Sequence, residues 1–239
     1  MKLTSLLERL EYEVRQGSDE IEVTELVNDS RKVTEGSVFV CISGAVSDGH
    51  TYVEEVAGKG AKAVIVEKPV EAPEGVTVIH VDDTRYALAL MSAAYFGYPA
   101  EKLHVIGITG TKGKDKRQHI WCKSILEAAG HNVGLIGTIE AVIGDKTIPA
   151  NNTTPESFTI HKYFAEMVEA GCDSVVMEVS SQGLMLHRTA GIQFEIGIFT
   201  NLGEDHIGPN EHKDFEDYKR CKGILFTQCN LGIANVDDK

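Results

Sequence analysis

The densest chemistry in the chain lies at 105–114, where the apolar run Val105-Ile106-Gly107-Ile108 gives way to Thr109, Gly110, Thr111, Lys112, Gly113 and Lys114. Glycines at such a strand end let backbone N–H groups face phosphate oxygens, and the N-terminus of a following helix adds partial positive charge. Lys114 is spaced to bridge the β- and γ-phosphates, so the segment points to ATP as cofactor, with 110–115 around its phosphates. A phosphate loop of this kind continues with Ser or Thr to hold Mg²⁺, whereas here Asp115, Lys116 and Arg117 follow. A carboxylate ~4 Å from a phosphate charge at an effective dielectric of ~20 is repelled by about 4 kcal/mol. The spacing thus predicts weakened ATP binding, unless Asp115 itself ligates the metal. Codons AAA CGA CAA CAT ATA TGG TGT encode Lys116 to Cys122, and read from their third base they give Thr-Thr-Thr-Tyr-Met-Val. A local, compensated frameshift is compatible with the segment, and the nucleotide sequence decides it.

Two further strand ends are unusually polar, 178–182 (EVSSQ) and 201–206 (NLGEDH). Glu178 offers a hard oxygen suited to Mg²⁺, or else is a solvated carboxylate. His206 is, from its type alone, as readily structural as metal-binding. Lys222 reads from spacing as an exposed helix lysine, Asn152 to Pro155 as a loop with a turn proline, and Ser180-Ser181 as a polar strand end.

The elements that must position these residues fall into two halves. Residues 1–98 read as a small α/β unit: a helix over 3–15, strands near 21–27, 37–42, 63–66 and 77–81, and helices over 52–59 and 85–96. Tyr98-Pro99 makes a boundary, because the residue before proline disfavours helix. Over 99–239, short buried strands at 104–108, 133–137, 174–179, 196–201 and 231–236 alternate with helices, one running to about residue 129 and another over 158–170. That alternation predicts an α/β fold: a mostly parallel mononucleotide-binding sheet with helices on both faces. In such sheets ligands sit beyond the carboxyl ends of the strands, where the three polar segments should converge.

Composition excludes other classes. The 239 residues carry 23 Lys+Arg against 36 Asp+Glu, a net charge of -13, which argues against a nucleic-acid binder. No apolar run approaches the roughly 20 residues of a membrane span, and the N-terminal segment is an amphipathic helix rather than a signal peptide. Five scattered cysteines without CxxC spacing suggest a reduced, cytoplasmic setting.

Seven segments in order, Asp29-Ser30-Arg31, 44–49 (GAVSDG), 107–114 (GITGTKGK), 152–156 (NTTPE), 177–184 (MEVSSQGL), 200–206 (TNLGEDH) and 218–222 (YKRCK), give the chain a resemblance to the Mur ligases, most closely their tripeptide-synthetase branch. The resemblance implies activation of a carboxylate by ATP as an acyl phosphate, which an amino acid's amine displaces to form an amide. It further implies a UDP-binding first domain over 1–98 with Ser30, Gly44 and Ala45 at its site, and a central ATPase domain over 99–239. Lys114, Glu178, His206 and Lys222 take the catalytic places, with Glu178, His206 and a carbamylated Lys222 around Mg²⁺. Asn152, Thr153, Thr154, Ser180 and Arg188 would grip the muramoyl-peptide. The implied substrates are UDP-N-acetylmuramoyl-L-alanyl-D-glutamate and an amino acid, with no nucleic-acid or membrane partner. Leu186 departs from the glutamine expected before His187-Arg188. The family's third, amino-acid-binding domain is missing from 1–239, so the chain reads as truncated and catalytically impaired, with an apolar sheet edge exposed. Two other readings stand beside this one: a folylpolyglutamate synthetase-like ligase, and a non-catalytic protein that binds the nucleotide sugar without ATP chemistry.

Overall fold

Short β-branched runs bounded by glycines and polar turns build two sheets. The computed structural model describes residues 1–44, 47–111, 118–208 and 211–237, and the chain divides into two units, Met1–Tyr95 and Phe96–Lys239. Among the described residues no helix is long and apolar enough to cross a membrane.

The first unit holds strands β1 (Glu13–Gln16), β2 (Leu26–Val27), β3 (Val38–Val40), β4 (Ala63–Val66) and β5 (Thr77–His80) with helices α1 (Leu3–Leu7), α2 (Val53–Gly58) and α3 (Thr84–Tyr95). Its sheet runs β1-β5-β4-β3-β2, parallel except for β1 against β5. The helix expected over 3–15 ends at Leu7. Its buried stripe is only Leu3, Leu6 and Leu7, and beyond it Val14 pairs across from Ile79. Gly17 ends that edge strand at φ +76°, where an added Cβ would lie 2.6 Å from the Thr77 hydroxyl. The strand expected over 21–27 shrinks to its last two residues.

The second unit contains β6 (His104–Thr109), α4 (Gln118–Ala128), β7 (Val133–Ile136), β8 (Glu140–Ile143), β9 (Lys146–Pro149), α5 (Ser157–Glu169), β10 (Ser174–Glu178), α6 (Ser181–Met185), β11 (Phe194–Phe199), α7 (Phe215–Thr227) and β12 (Cys229–Ala234). The sheet order is β12-β11-β6-β10-β7-β8-β9, with the first five strands parallel and the last two antiparallel. The β8–β9 hairpin is an addition to the expected elements. Gly144-Asp145 between two alternating runs is a hairpin signal, and Gly144 takes φ +54° there.

Alternation along β6 serves two cores. Val105 packs on one face with Phe164 and Met167 of α5 and Leu225 of α7. Ile106 and Ile108 pack on the other with Cys122 and Leu126 of α4. Helices therefore cover both faces, and each fully buried aliphatic side chain there contributes about 1.5–3 kcal/mol. Gly107 is where the packing is tightest, since a Cβ would meet the Phe194 ring at 2.8 Å and Leu225 at 3.0 Å. β12 is an edge strand, and its Leu231 and Ile233 are exposed.

Candidate active site

The register of the second sheet sets the site. β6 lies between β10 and β11, with Ile108 opposite Glu178 and Thr109 opposite Phe199, so the turns after these three strands are neighbours. Gly110, Glu178 and Thr200 line one cavity together with His119, Thr153 and Ser180. Gly110 is required by close approach: a Cβ would stand 2.1 Å from the Thr200 hydroxyl. Thr111 is buried, its N–H donating to the Asn201 side-chain oxygen at 2.9 Å and its hydroxyl bonded to the Tyr218 hydroxyl at 2.7 Å. Lys112, Gly113, Lys114 and Asp115 lie outside the described residues, as does Ala45 of the first unit.

Lys222 overturns the reading from spacing. It is 1% exposed, and its ammonium donates to the Gly110 carbonyl at 2.8 Å and to the Thr109 hydroxyl at 3.3 Å. The ammonium also lies 4.9 Å from the Tyr218 ring centre. The cause is helical phase: Tyr218, Cys221, Lys222 and Leu225 form the buried face of α7. The apolar i, i+3, i+7 set around the lysine was the signal for burial.

Glu178 closes β10 with a side chain only 8% exposed. Its Oε1 is 2.7 Å from His119 Nδ1, and its Oε2 accepts from the Thr138 N–H at 3.1 Å and from the Thr138 hydroxyl. Burial pushes this carboxyl up, but the bonds from His119 and Thr138 outweigh it and hold the group below the usual carboxylate range. Both oxygens are thus engaged by protein donors. Mg²⁺ takes oxygen ligands in a near-octahedral shell, and either Glu178 oxygen would serve it beside the protein donor it already accepts from. The second candidate, Lys222, faces Gly110 and Thr109 as a hydrogen-bond donor. His206 sits on an exposed loop at φ +55° beside Glu211. Of the three, only Glu178 offers Mg²⁺ a carboxylate oxygen in this arrangement.

A second, polar cleft adjoins the first and shares Thr153 and Ser180 with it. Asn152, Thr153, Thr154, Ser180, Arg188 and His206 all line it. Thr154 is buried and links the elements: its hydroxyl donates to the Glu178 carbonyl at 3.0 Å and accepts from the Ser180 N–H at 2.8 Å. Arg188 donates to the Thr154 carbonyl at 2.9 Å and pairs with Glu156 at 2.6 Å. Its buried Nε has no partner among the described residues. Ser180 is the cap of a short helix rather than a strand end, its hydroxyl accepting from the Gly183 N–H at 3.0 Å. His119, Thr138, Tyr218 and His212 were not singled out from sequence. His212 is fully buried and bonds Ser181 at 2.8 Å and Asp217 at 3.3 Å, joining α6 to α7. Only long-range pairing, invisible to local spacing, brings these four to the site.

In the first unit, Ser30 and Gly44 follow the carboxyl ends of adjacent parallel strands β2 and β3. Asp29 opens the turn at Ser30 by accepting from the Arg31 N–H, and the Ser30 carbonyl accepts from Lys59 at 2.9 Å. The Gly44 N–H donates to the Ser47 carbonyl at 2.9 Å. Asp48 is held well below the usual carboxylate range by Lys68, then by His50, which pins the loop's far end.

Comparison with known proteins agrees across the chain. Residues 108–239 match the Mur ligase middle domain, and 22–96 match the Mur ligase family catalytic domain. The chain is 50% identical over 238 residues to the UDP-N-acetylmuramoyl-L-alanyl-D-glutamate–2,6-diaminopimelate ligase of Clostridium perfringens, covering 100% of this chain and 49% of that protein. A ligase of the same name from Clostridium acetobutylicum is 45% identical over 239 residues, again with 100% and 49% covered. The chain therefore spans about half the length of the curated relatives it matches. A solved structure of a ligase so named superposes with a TM-score of 0.80 at 22% identity, covering 100% of this chain and 47% of the other, which shows the fold.

Proposed function

This chain belongs to the Mur ligase family, and from that premise we propose that it supplies the UDP-binding domain, 1–98, and the ATPase domain, 99–239, of an ATP-dependent amide ligase. The ligase extends UDP-N-acetylmuramoyl-L-alanyl-D-glutamate by the third residue of the peptidoglycan stem, and the names of the relatives make diaminopimelate the candidate amino acid. The glutamyl carboxylate takes the γ-phosphoryl group of ATP to become an acyl phosphate, and the incoming amine displaces phosphate. Gly110 and its neighbours, with Lys114, hold the nucleotide. Arg188, Asn152, Thr153 and Ser180 present guanidinium, amide and hydroxyl donors to the anionic muramoyl-peptide. Ser30, Gly44 and Ala45 serve the uridine diphosphate. Mg²⁺ supplies charge neutralisation at the phosphates when bound, and Glu178, His206 and Lys222 remain the residues proposed around it once Glu178 is free of its present partner.

The observation that carries this reading is the shared wall: Thr153 and Ser180 line both the cavity of Gly110 and Glu178 and the cleft of Arg188. A nucleotide in one and a carboxylate in the other would therefore meet. Titration calorimetry of the chain with UDP-N-acetylmuramoyl-L-alanyl-D-glutamate tests it, with saturable binding expected; no heat at any concentration removes the reading. A second reading, a protein that binds the sugar nucleotide without ATP chemistry, is favoured by one observation, the engagement of both Glu178 oxygens. Saturable ATP binding would exclude it.

A further inference from the structure

We infer that His119 is an internal occupant of the place beside Glu178 that a divalent cation would take, so that this chain's nucleotide centre is closed by its own α4 until the imidazole moves. The inference rests on the ligase reading only for the identity of the ion expected there.

The contact is specific and dry. His119 Nδ1 lies 2.7 Å from Glu178 Oε1, and the two side chains are 4% and 8% exposed. The other carboxylate oxygen accepts from Thr138 through its N–H and its hydroxyl, so both oxygens already serve protein donors. The pocket is fitted to the ring as well: a Cβ at Gly137 would come within 3.0 Å of His119 Nε2. A cation at Oε1 has to share that oxygen with the ring N–H, and each donor the carboxylate already serves lowers the charge it can offer a metal.

The packing of α4 shows what would have to move. His119 is the one fully buried residue of this helix, whereas Ile120, Trp121 and Ile125 are exposed. Cys122 and Leu126 pack on the sheet only in part. The His119–Glu178 contact is therefore a principal anchor of α4, and a cation at Glu178 competes with that anchor directly. The segment 112–117, which joins Thr111 to α4, belongs to the same stretch whose Asp115 departs from a phosphate loop.

Electron paramagnetic resonance of Mn²⁺ added to the 239-residue chain, without nucleotide, measures the competition. His119→Ala and His119→Phe should each bind Mn²⁺ at least about tenfold more tightly than the parent, the equivalent of one charge-assisted hydrogen bond removed from competition. Glu178→Gln added to either variant should abolish the gain. Equal Mn²⁺ affinity in parent and variants overturns the inference, as does a gain that survives Glu178→Gln. Phe keeps the bulk of the ring without a donor, so the comparison stands if the Ala variant fails to fold. The measurement needs no muramoyl ligand. Absence of UDP-muramoyl-dipeptide binding would remove the ligase reading and leave this one intact.

Discussion

The Thr154 hydroxyl donates to the Glu178 carbonyl at 3.0 Å, fastening the loop before α5 to the last residue of β10. The same oxygen accepts from the Ser180 N–H, so one buried side chain satisfies two backbone groups where β10 leaves the sheet.

Thr154→Val keeps the shape of that side chain and orphans both backbone groups. It should cost about 1–3 kcal/mol, the penalty for unsatisfied buried polar groups, read as a lower urea midpoint with an unchanged m-value. Stability equal to the parent would show that the bridge is replaceable by water.

Lys222→Met preserves the length of the side chain while removing the donor to Gly110 and Thr109. The expected loss is again about 1–3 kcal/mol, and it should be accompanied by weaker ATP binding, because the Gly110 turn loses its tether. A variant equally stable but binding ATP less well would assign Lys222 to ligand contact rather than to the turn.

Arg188 lines the polar cleft proposed for the muramoyl-peptide, with a buried Nε that has no partner among the described residues. Arg188→Ala should weaken UDP-N-acetylmuramoyl-L-alanyl-D-glutamate binding by about tenfold or more, as expected for loss of a charge-assisted hydrogen bond. Calorimetry reads it. Arg188→Lys should restore little, since an ammonium does not reproduce the planar fork.

His161 on α5 is fully buried, edge-on to Phe164, and neither ring nitrogen finds a partner among the described residues. Burial holds its pKa down to about 4. The unfolded chain therefore takes up a proton before the folded one does, and stability is complete above the ordinary histidine range and falls as pH drops from about 6.5 toward 4. The loss between about pH 7 and 5 should be about 2 kcal/mol, and His161→Phe should remove that part of the slope. Parallel denaturation midpoints for parent and variant across this range would contradict the assignment.

How much of this was legible beforehand differs by element. The β6 strand, its glycine turn and the alternation of strands with helices followed from runs such as Val105-Ile106-Gly107-Ile108, because a doubly covered parallel strand must be apolar on both faces. Convergence of the three polar strand ends followed from the same topology. The β8–β9 hairpin carried its own Gly-Asp signal. The helix over 3–15 did not survive, because pairing of Val14 with β5 outweighed a helical pattern three leucines long.

What the amino-acid order determined on its own was therefore the fold class, the family and the glycine turn after β6, all of which depend on local periodicity and motif spacing. Tertiary structure alone decided the states of the two charged groups. Lys222 is buried rather than exposed because α7 turns its Tyr218–Leu225 face onto the sheet. Glu178 is engaged because a histidine 59 residues earlier, on a helix packed against β10, reaches its oxygen. The phase of α7 marked the burial of Lys222, but the pairing of charge depends on which distant segments share a low-dielectric space, and no local pattern records that.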